Sequence, residues 1–205
     1  MAMTAMGAIL LARGAADPPV AARVMWRDSG AASWIAGTSQ ALAPGDGLWM
    51  QAPDAARLPD GALTVEVAAR LTPESDPGAA WGVWVEESDG ARLFRVIYAV
   101  SGEGYITTRR CPDDALPAAE IEQCPAVRPE WRWMRYPRAN LVGQTNEITL
   151  HQEPSGAMRF RLNDEQLGAA PVARTGRWGV WARGGRESDA ILWWAVAAVR
   201  CSACP

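Results

Sequence analysis

Apolar and polar residues alternate along much of this chain, and nowhere do the apolar ones settle into a sustained helical period. In the run 63–70, Leu63, Val65 and Val67 alternate with Thr64, Glu66 and Ala68, the pattern of a strand with one buried face. Shorter runs at 23–26 and 47–50 also read as strands, separated by a small-residue loop around 41–46. Three strands, 81–86, 91–100 and 104–110, joined by the turns Ser88-Asp89-Gly90 and Ser101-Gly102, form a meander. The segment 131–135 alternates again. A hairpin follows, 146–151 and 157–163 about Pro154-Ser155-Gly156, with Ile148, Leu150, Met158, Phe160 and Leu162 inward and Glu147, Thr149, His151, Arg159 and Arg161 outward. Strands at 177–183 and 190–200, about Gly184-Gly185, close the chain. Roughly a dozen short strands at this spacing predict an all-β sandwich of two antiparallel sheets.

Within this pattern the string Trp-Gly-Val-Trp occurs twice, at Trp81–Trp84 and Trp178–Trp181. Successive strand side chains point to opposite faces, so Trp81, Val83 and Val85 share one face and Gly82, Trp84 and Glu86 the other. The second copy splits the same way, with Trp178 and Val180 inward and Trp181 and Arg183 outward. Its flanks share little with the first, which argues against an internal duplication. A Trp beside a Gly on a neighbouring strand covers bare backbone, one structural reason for the glycines.

The chain holds eleven tryptophans against two phenylalanines and three tyrosines. Burying one is worth about 4–6 kcal/mol at about 25 cal/mol per Å². If Trp84, Trp181 and an outward Trp194 stay bare, they form an apolar patch that a soluble protein keeps only for a partner. Glu66, Arg95, Arg159, Arg161 and Arg183 are the polar neighbours expected to line it. Sugar rings stack on such platforms, and Trp and Arg also dominate protein interfaces.

Length and charge narrow the classes. At 205 residues and 49% hydrophobic content the chain suits one domain, expected over 21–205, preceded by an apolar segment and linker over 1–20. The net charge is −3 and the basic residues are scattered, so nucleic acid is not an expected partner. All 20 basic residues are arginine, a bias expected from base composition in a chain rich in Ala and Gly, with planar bidentate contacts to carboxylates or sulfates as the other reading. The apolar run 1–12 is too short to span a bilayer; it has the length of a signal-peptide core without a charged leader, and a membrane or partner contact is its other expected use.

Four cysteines allow three pairings. They fall as Cys111 with Cys124 and Cys201 with Cys204. The first pair brackets a loop whose closure would contribute about 3 kcal/mol. The second has Cys-x-x-Cys spacing without the further ligands of a metal site, so a terminal disulfide is expected. Both favour an oxidising, extracytoplasmic compartment, with the protein secreted or attached to the cell surface.

The order of these signals resembles the concanavalin A-like jelly-roll superfamily over about 61–200, and laminin G-like and laminarinase-type modules in particular. The resemblance rests on Trp81-Gly82-Val83-Trp84, Asn146-Glu147-Ile148-Thr149-Leu150, Arg161-Leu162-Asn163-Asp164-Glu165-Gln166-Leu167 and Gly176-Arg177-Trp178-Gly179-Val180-Trp181. Asp164 stands where the family's turn has Gly, and it tolerates the left-handed conformation required. The acidic strand motif of the family's retaining glucanases, which need two carboxylates about 5 Å apart, is missing. Glu86-Glu87-Ser88-Asp89 and Asp164-Glu165 read as solvated turn charges, and His151, the only histidine, stands alone. No cofactor is expected; the resemblance leaves room for a structural calcium near Asp89 or Asp164. The reading is a non-catalytic, extracytoplasmic carbohydrate-binding module, with a protein-binding subunit of a cell-envelope or membrane-associated assembly as the alternative and a glycoside hydrolase third.

Overall fold

The computed structural model describes residues 23–29, 33–58, 63–113, 117–153 and 155–201. The expected N-terminal segment and Cys204 lie outside them. The strands are β1 (Arg23–Arg27), β2 (Ser39–Leu42), β3 (Gly47–Gln51), β4 (Leu63–Leu71), β5 (Ala80–Ser88), β6 (Leu93–Ser101), β7 (Tyr105–Pro112), β8 (Met134–Arg135), β9 (Asn146–Gln152), β10 (Ala157–Leu162), β11 (Glu165–Pro171), β12 (Arg174–Arg183) and β13 (Ala190–Cys201). They form two antiparallel sheets. One has the order β1-β13-β4-β9-β10-β11, with β2 also on β13; the other runs β3-β12-β5-β6-β7-β8. Among the described residues the only helices are three short 3₁₀ segments.

The period-2 pattern sets the register. Val65 and Val67 on β4 lie beside Leu150 and Ile148 on β9, and Phe160 and Leu162 on β10 continue the same inward rows. These side chains meet Trp81, Val83, Tyr98 and Val180 from the opposite sheet, all at most 2% exposed in one core. Trp81 and Trp178 are both 1% exposed. Trp178 donates its indole N–H to Ala56 O at 2.7 Å and packs edge-on to Trp26 and Trp34.

Two readings change. Trp194, expected outward, is 1% exposed and packs edge-on against Trp81 at 5.7 Å, so Trp193 is the outward member of the pair. Which of two adjacent residues faces in depends on register, and β13 carries a bulge between Trp194 and Val196 that the alternation does not announce. The stretch 131–135 shrinks to the two-residue β8, because Pro129–Trp131 makes a 3₁₀ turn and Trp133 takes φ 24°. The turn at Asn163-Asp164 forms as expected, with φ 49° and 66°. Asn163 also fastens it to β9, its side-chain oxygen accepting the Glu147 N–H at 2.8 Å.

Candidate functional site

The two Trp-Gly-Val-Trp strings are hydrogen-bonded neighbours, β5 and β12, running antiparallel about Val83 and Val180. Gly179 therefore lies opposite Trp84, and Trp181 opposite Gly82. Trp84 lies over Gly179, where a Cβ would come within 2.6 Å of the indole and 2.1 Å of Met50 O. At Gly82 the Tyr98–Ala99 backbone of β6 occupies the space instead, with Tyr98 O 2.3 Å from an added Cβ.

Both second tryptophans point away from the main core, as the alternation requires, yet neither meets solvent. Trp84 is 2% exposed and Trp181 0%. The expected bare platform is a second, smaller core. It is covered by a strap, residues 117–124, whose 3₁₀ segment Ala118–Gln123 lays Ala118 and Ile121 over the two indoles. Trp181 donates to Ala118 O at 2.7 Å, and Trp84 to Val180 O at 3.1 Å. The strap is held at its end by the Cys111–Cys124 disulfide and by Arg109, which donates to Cys124 O at 3.0 Å. Burial draws the Arg109 guanidinium below its ordinary range, while the strap's Glu122 pulls the other way. Arg95 lies on the same face, partly buried, 4.7 Å from the Trp49 ring and 5.1 Å from Trp84, with its Nε 2.6 Å from Asp113. Buried rings have no free face for a sugar, so Trp84, Trp181, Trp194 and Arg95 do not form the open stacking surface expected of them.

Glu66, Arg159 and Arg161 lie on a different surface, the outer face of the seven-stranded sheet. The register places Arg200, Thr64, His151 and Arg159 in one cross-strand row, and Ala198, Glu66, Thr149, Arg161 and Gln166 in the next. These groups largely satisfy one another. Glu66 accepts from Arg200 at 2.9 Å, Thr64 Oγ1 lies 2.9 Å from His151 Nδ1, Arg159 pairs with Glu153 and reaches Gln166 at 2.7 Å, and Arg161 donates to Asp164 O at 2.6 Å. Glu147, one row further, is pushed up by burial and by the nearby Glu66 and Asp164. The pair Glu86 and Glu87, expected as solvated turn charges, belongs to β5: Glu86 is 4% exposed, bonded by Thr175 and 3.6 Å from Arg177, and Glu87 pairs with Arg110.

Arg183 alone among the expected site residues lines an open cleft. The cleft, about 440 Å³, lies at the end of the six-stranded sheet where β3 and β5 begin and β12 ends. Gly184 and Gly185 form one rim and Gly45 and Asp46 the other, with Gly78, Ala119 of the strap and Arg186 completing it. The rims are zipped together, Gly184 N–H donating to Asp46 O at 2.9 Å. Gly184 and Gly185 are required by close approach, a Cβ on Gly184 sitting 2.0 Å from Ala43 O and one on Gly185 2.0 Å from Asp76 Cγ, whereas Gly45 is required by its φ of 80°. Asp76 anchors the loops from beneath, one carboxylate oxygen accepting the N–H groups of Arg186, Glu187 and Ser188 and the other that of Gly78. These bonds, that from Glu187 foremost, outweigh burial and hold its carboxyl below the usual range. Asp76 is 7% exposed and committed to backbone, so the charged side chains left to meet a ligand in the cleft are Asp46, which also accepts from Ala43 N–H, Arg183, which is paired with Glu122, and Arg186.

Sequence reasoning missed this cleft because its parts come from four loops. The signal available was the recurrence of Gly-Gly and Pro-Gly pairs just beyond strand ends, at Gly184-Gly185 and Pro44-Gly45. No group of three or more His, Cys, Asp or Glu side chains arranged to hold a metal ion occurs among the described residues. Asp89 caps its own turn, accepting the N–H groups of Ala91 and Arg92. Cys201 is not a free thiol.

No protein-family model matches the chain, and comparison with curated proteins finds no match. Among solved structures, the potassium-bound Emp46p carbohydrate recognition domain is similar at TM-score 0.54 and 10% identity, over 82% of this chain and 89% of that one. Its metal-free form gives 0.52 at 10% identity, over 78% and 80%. A structure described with endo-acting O-glycanases that human gut microbiota express to initiate mucin breakdown gives 0.51 at 11% identity, over 80% and 78%. At 10–11% identity the likeness is one of backbone architecture. The chain shares with these structures the architecture of a jelly-roll-like β-sandwich, two antiparallel sheets.

Proposed function

We propose that this protein is a non-catalytic carbohydrate-binding module that takes its ligand in the loop-end cleft. The observation that carries the reading is the cleft itself, where bare glycine backbone meets one carboxylate and two guanidinium groups. Gly45 leaves open space where a side chain would stand, so a ligand can approach the rim closely there, and sugar hydroxyls both donate and accept. The fold it shares with a carbohydrate recognition domain supports the ligand class. Its non-catalytic character is supported by the carboxylates available: a glycosidase needs two at a working separation, and Asp76 beside the cleft is already bonded to four backbone amides. The Cys111–Cys124 disulfide favours an extracytoplasmic setting.

Glycan-array binding tests this reading, followed by titration of the best oligosaccharide against an Asp46→Ala/Arg186→Ala variant. A loss of about tenfold or more in affinity with an unchanged melting temperature is expected, since two hydrogen-bonding groups of the site are removed. Silence across the array, or equal affinity in the variant, overturns it. An assembly subunit is the second reading, favoured by exposed Val24 and Met25 on β1, at the edge of its sheet. A monomer in solution that binds oligosaccharide excludes it.

A further inference from the structure

We infer that the disulfide-closed strap is part of the cleft, and that its Glu122 is the positioning residue that presents Arg183 to the ligand. This rests on the cleft being the carbohydrate site. Three observations converge on it. Ala119 of the strap forms part of the cleft lining, and the strap presses directly on the opening residue of β3: a Cβ on Gly47 would lie 2.4 Å from Ala119 N. Glu122, two residues before Cys124, ion-pairs with Arg183, the β12 residue that lines the cleft from the sheet side. The same Glu122 oxygen accepts the Trp133 indole N–H at 3.1 Å, and the Arg183 guanidinium lies 5.1 Å from the centre of the Trp133 ring.

Arg183 is thus fixed from two directions by residues that make no other contribution to the cleft. A free arginine on a strand end samples many rotamers and loses that freedom on binding a ligand. Glu122 and Trp133 restrict it in advance, so less is lost when sugar oxygens accept from its remaining donors. Its Nε is buried without a hydrogen-bond partner, which leaves the terminal nitrogens to divide between Glu122 and the ligand. The disulfide sits at 0% and 2% exposure, out of reach of a reductant in the folded protein, so the strap is a fixed wall and not a redox gate.

The test is a double-mutant cycle on glycan affinity with Glu122→Ala, Arg183→Ala and the double variant, alongside melting temperatures. Glu122→Ala is expected to weaken binding roughly five- to tenfold, and the double variant no more than Arg183→Ala alone. Glu122→Asp, which keeps the charge, is expected to recover part of the loss; an effect on stability alone would not move with the charge. Additive losses, or native affinity in Glu122→Ala, overturn the inference. If Asp46→Ala/Arg186→Ala lowers affinity while Glu122→Ala does not, the site stands and only the role of Glu122 falls. If the unaltered protein binds no glycan, both fall together.

Discussion

The outer faces of the two sheets start from similar sequence and end in opposite environments. On the seven-stranded sheet, outward residues such as Glu66, Thr149 and Arg161 stand in rows of polar groups at the protein surface, Glu66 bonded to Arg200, Thr149 to Glu147 and Arg161 to Asp164 O. On the six-stranded sheet, outward Trp84, Ile97, Ala99 and Trp181 are at most 2% exposed, enclosed by a strap that contributes no strand and only a short 3₁₀ segment. Strand alternation separates inward from outward. Whether outward means solvent depends on what else the chain can lay across the face. Here an irregular loop supplies a third layer, made dry by Ala118 and Ile121 and fixed by one covalent link.

Breaking the covered face carries the largest expected effect. Trp181→Ala empties a fully buried site and orphans the Ala118 carbonyl, and is expected to cost about 3–5 kcal/mol in urea denaturation. Trp193→Ala, on the open face with Arg70 4.8 Å from its ring centre, is expected to cost well under half of that. Equal costs for the two would mean that the strap does not exclude water from Trp181.

Gly179→Ala asks the same question through the backbone. The added methyl would meet Met50 O at 2.1 Å and the Trp84 indole at 2.6 Å, so β3 and the ring must both move. An expected cost of about 1–3 kcal/mol follows from overpacking. A neutral result would show that Trp84 and β3 give way easily, and that the second core is loosely packed.

Much of this architecture was legible in the sequence. Inward rows such as Val65, Val67, Ile148 and Leu150 were fixed by alternation alone, and so were the meander and the hairpin. The orientation of Trp84 and Trp181 was legible too, but their burial was not, because it depends on a loop with no period of its own. The clue lay in the cover: Leu116, Ala118, Ala119 and Ile121 stand between two cysteines, an apolar group among prolines and acidic residues that show no strand or helix period. An apolar patch too large to leave bare calls for a cover in the same chain before it calls for a partner. The cleft was less legible still. Of its lining residues only Arg183 carried a strand signal, since loop ends meet in space by topology and not by pattern.

Acid titration sharpens the comparison on the open side. Glu147 has its pKa raised by burial, with Glu66 and Asp164 adding to it, so the folded state holds that proton more tightly than the unfolded chain. Stability from this group is therefore greatest below the unfolded value, near 4.5, and declines as pH rises through the folded one. Glu147→Gln removes the decline, and the variant is expected to gain on the parent as pH rises above about 4.5. Asp28 and Asp76 act in the other direction. At Asp28, burial is outweighed by the N–H groups of Ala36, Ile35 and Trp34; both carboxyls are lowered, and their stabilisation is lost as pH falls below about 3.8. Melting temperatures of parent and variant across this range separate the two effects. A Glu147→Gln variant that tracks the parent at every pH would mean that Glu147 is solvated like an ordinary surface acid.

The smallest effect is expected from Arg161→Ala, on the open face near the end of β10. Arg161 makes one hydrogen bond, to Asp164 O within its own turn, and its neighbours across the sheet are Thr149 and Gln166, neither of which depends on its charge. Removing it takes away a solvated guanidinium whose loss water can replace, so stability is expected to change by no more than about 0.5 kcal/mol. The prediction is informative because Arg183, at the matching outward position of the covered face, is held by Glu122 and Trp133 and is only 17% exposed. Arg183→Ala is expected to cost more than Arg161→Ala in the same denaturation series, although both are single arginines on strands near a turn. If the two variants lose equal stability, the strap contributes nothing to the environment of Arg183, and the asymmetry between the faces is confined to their tryptophans.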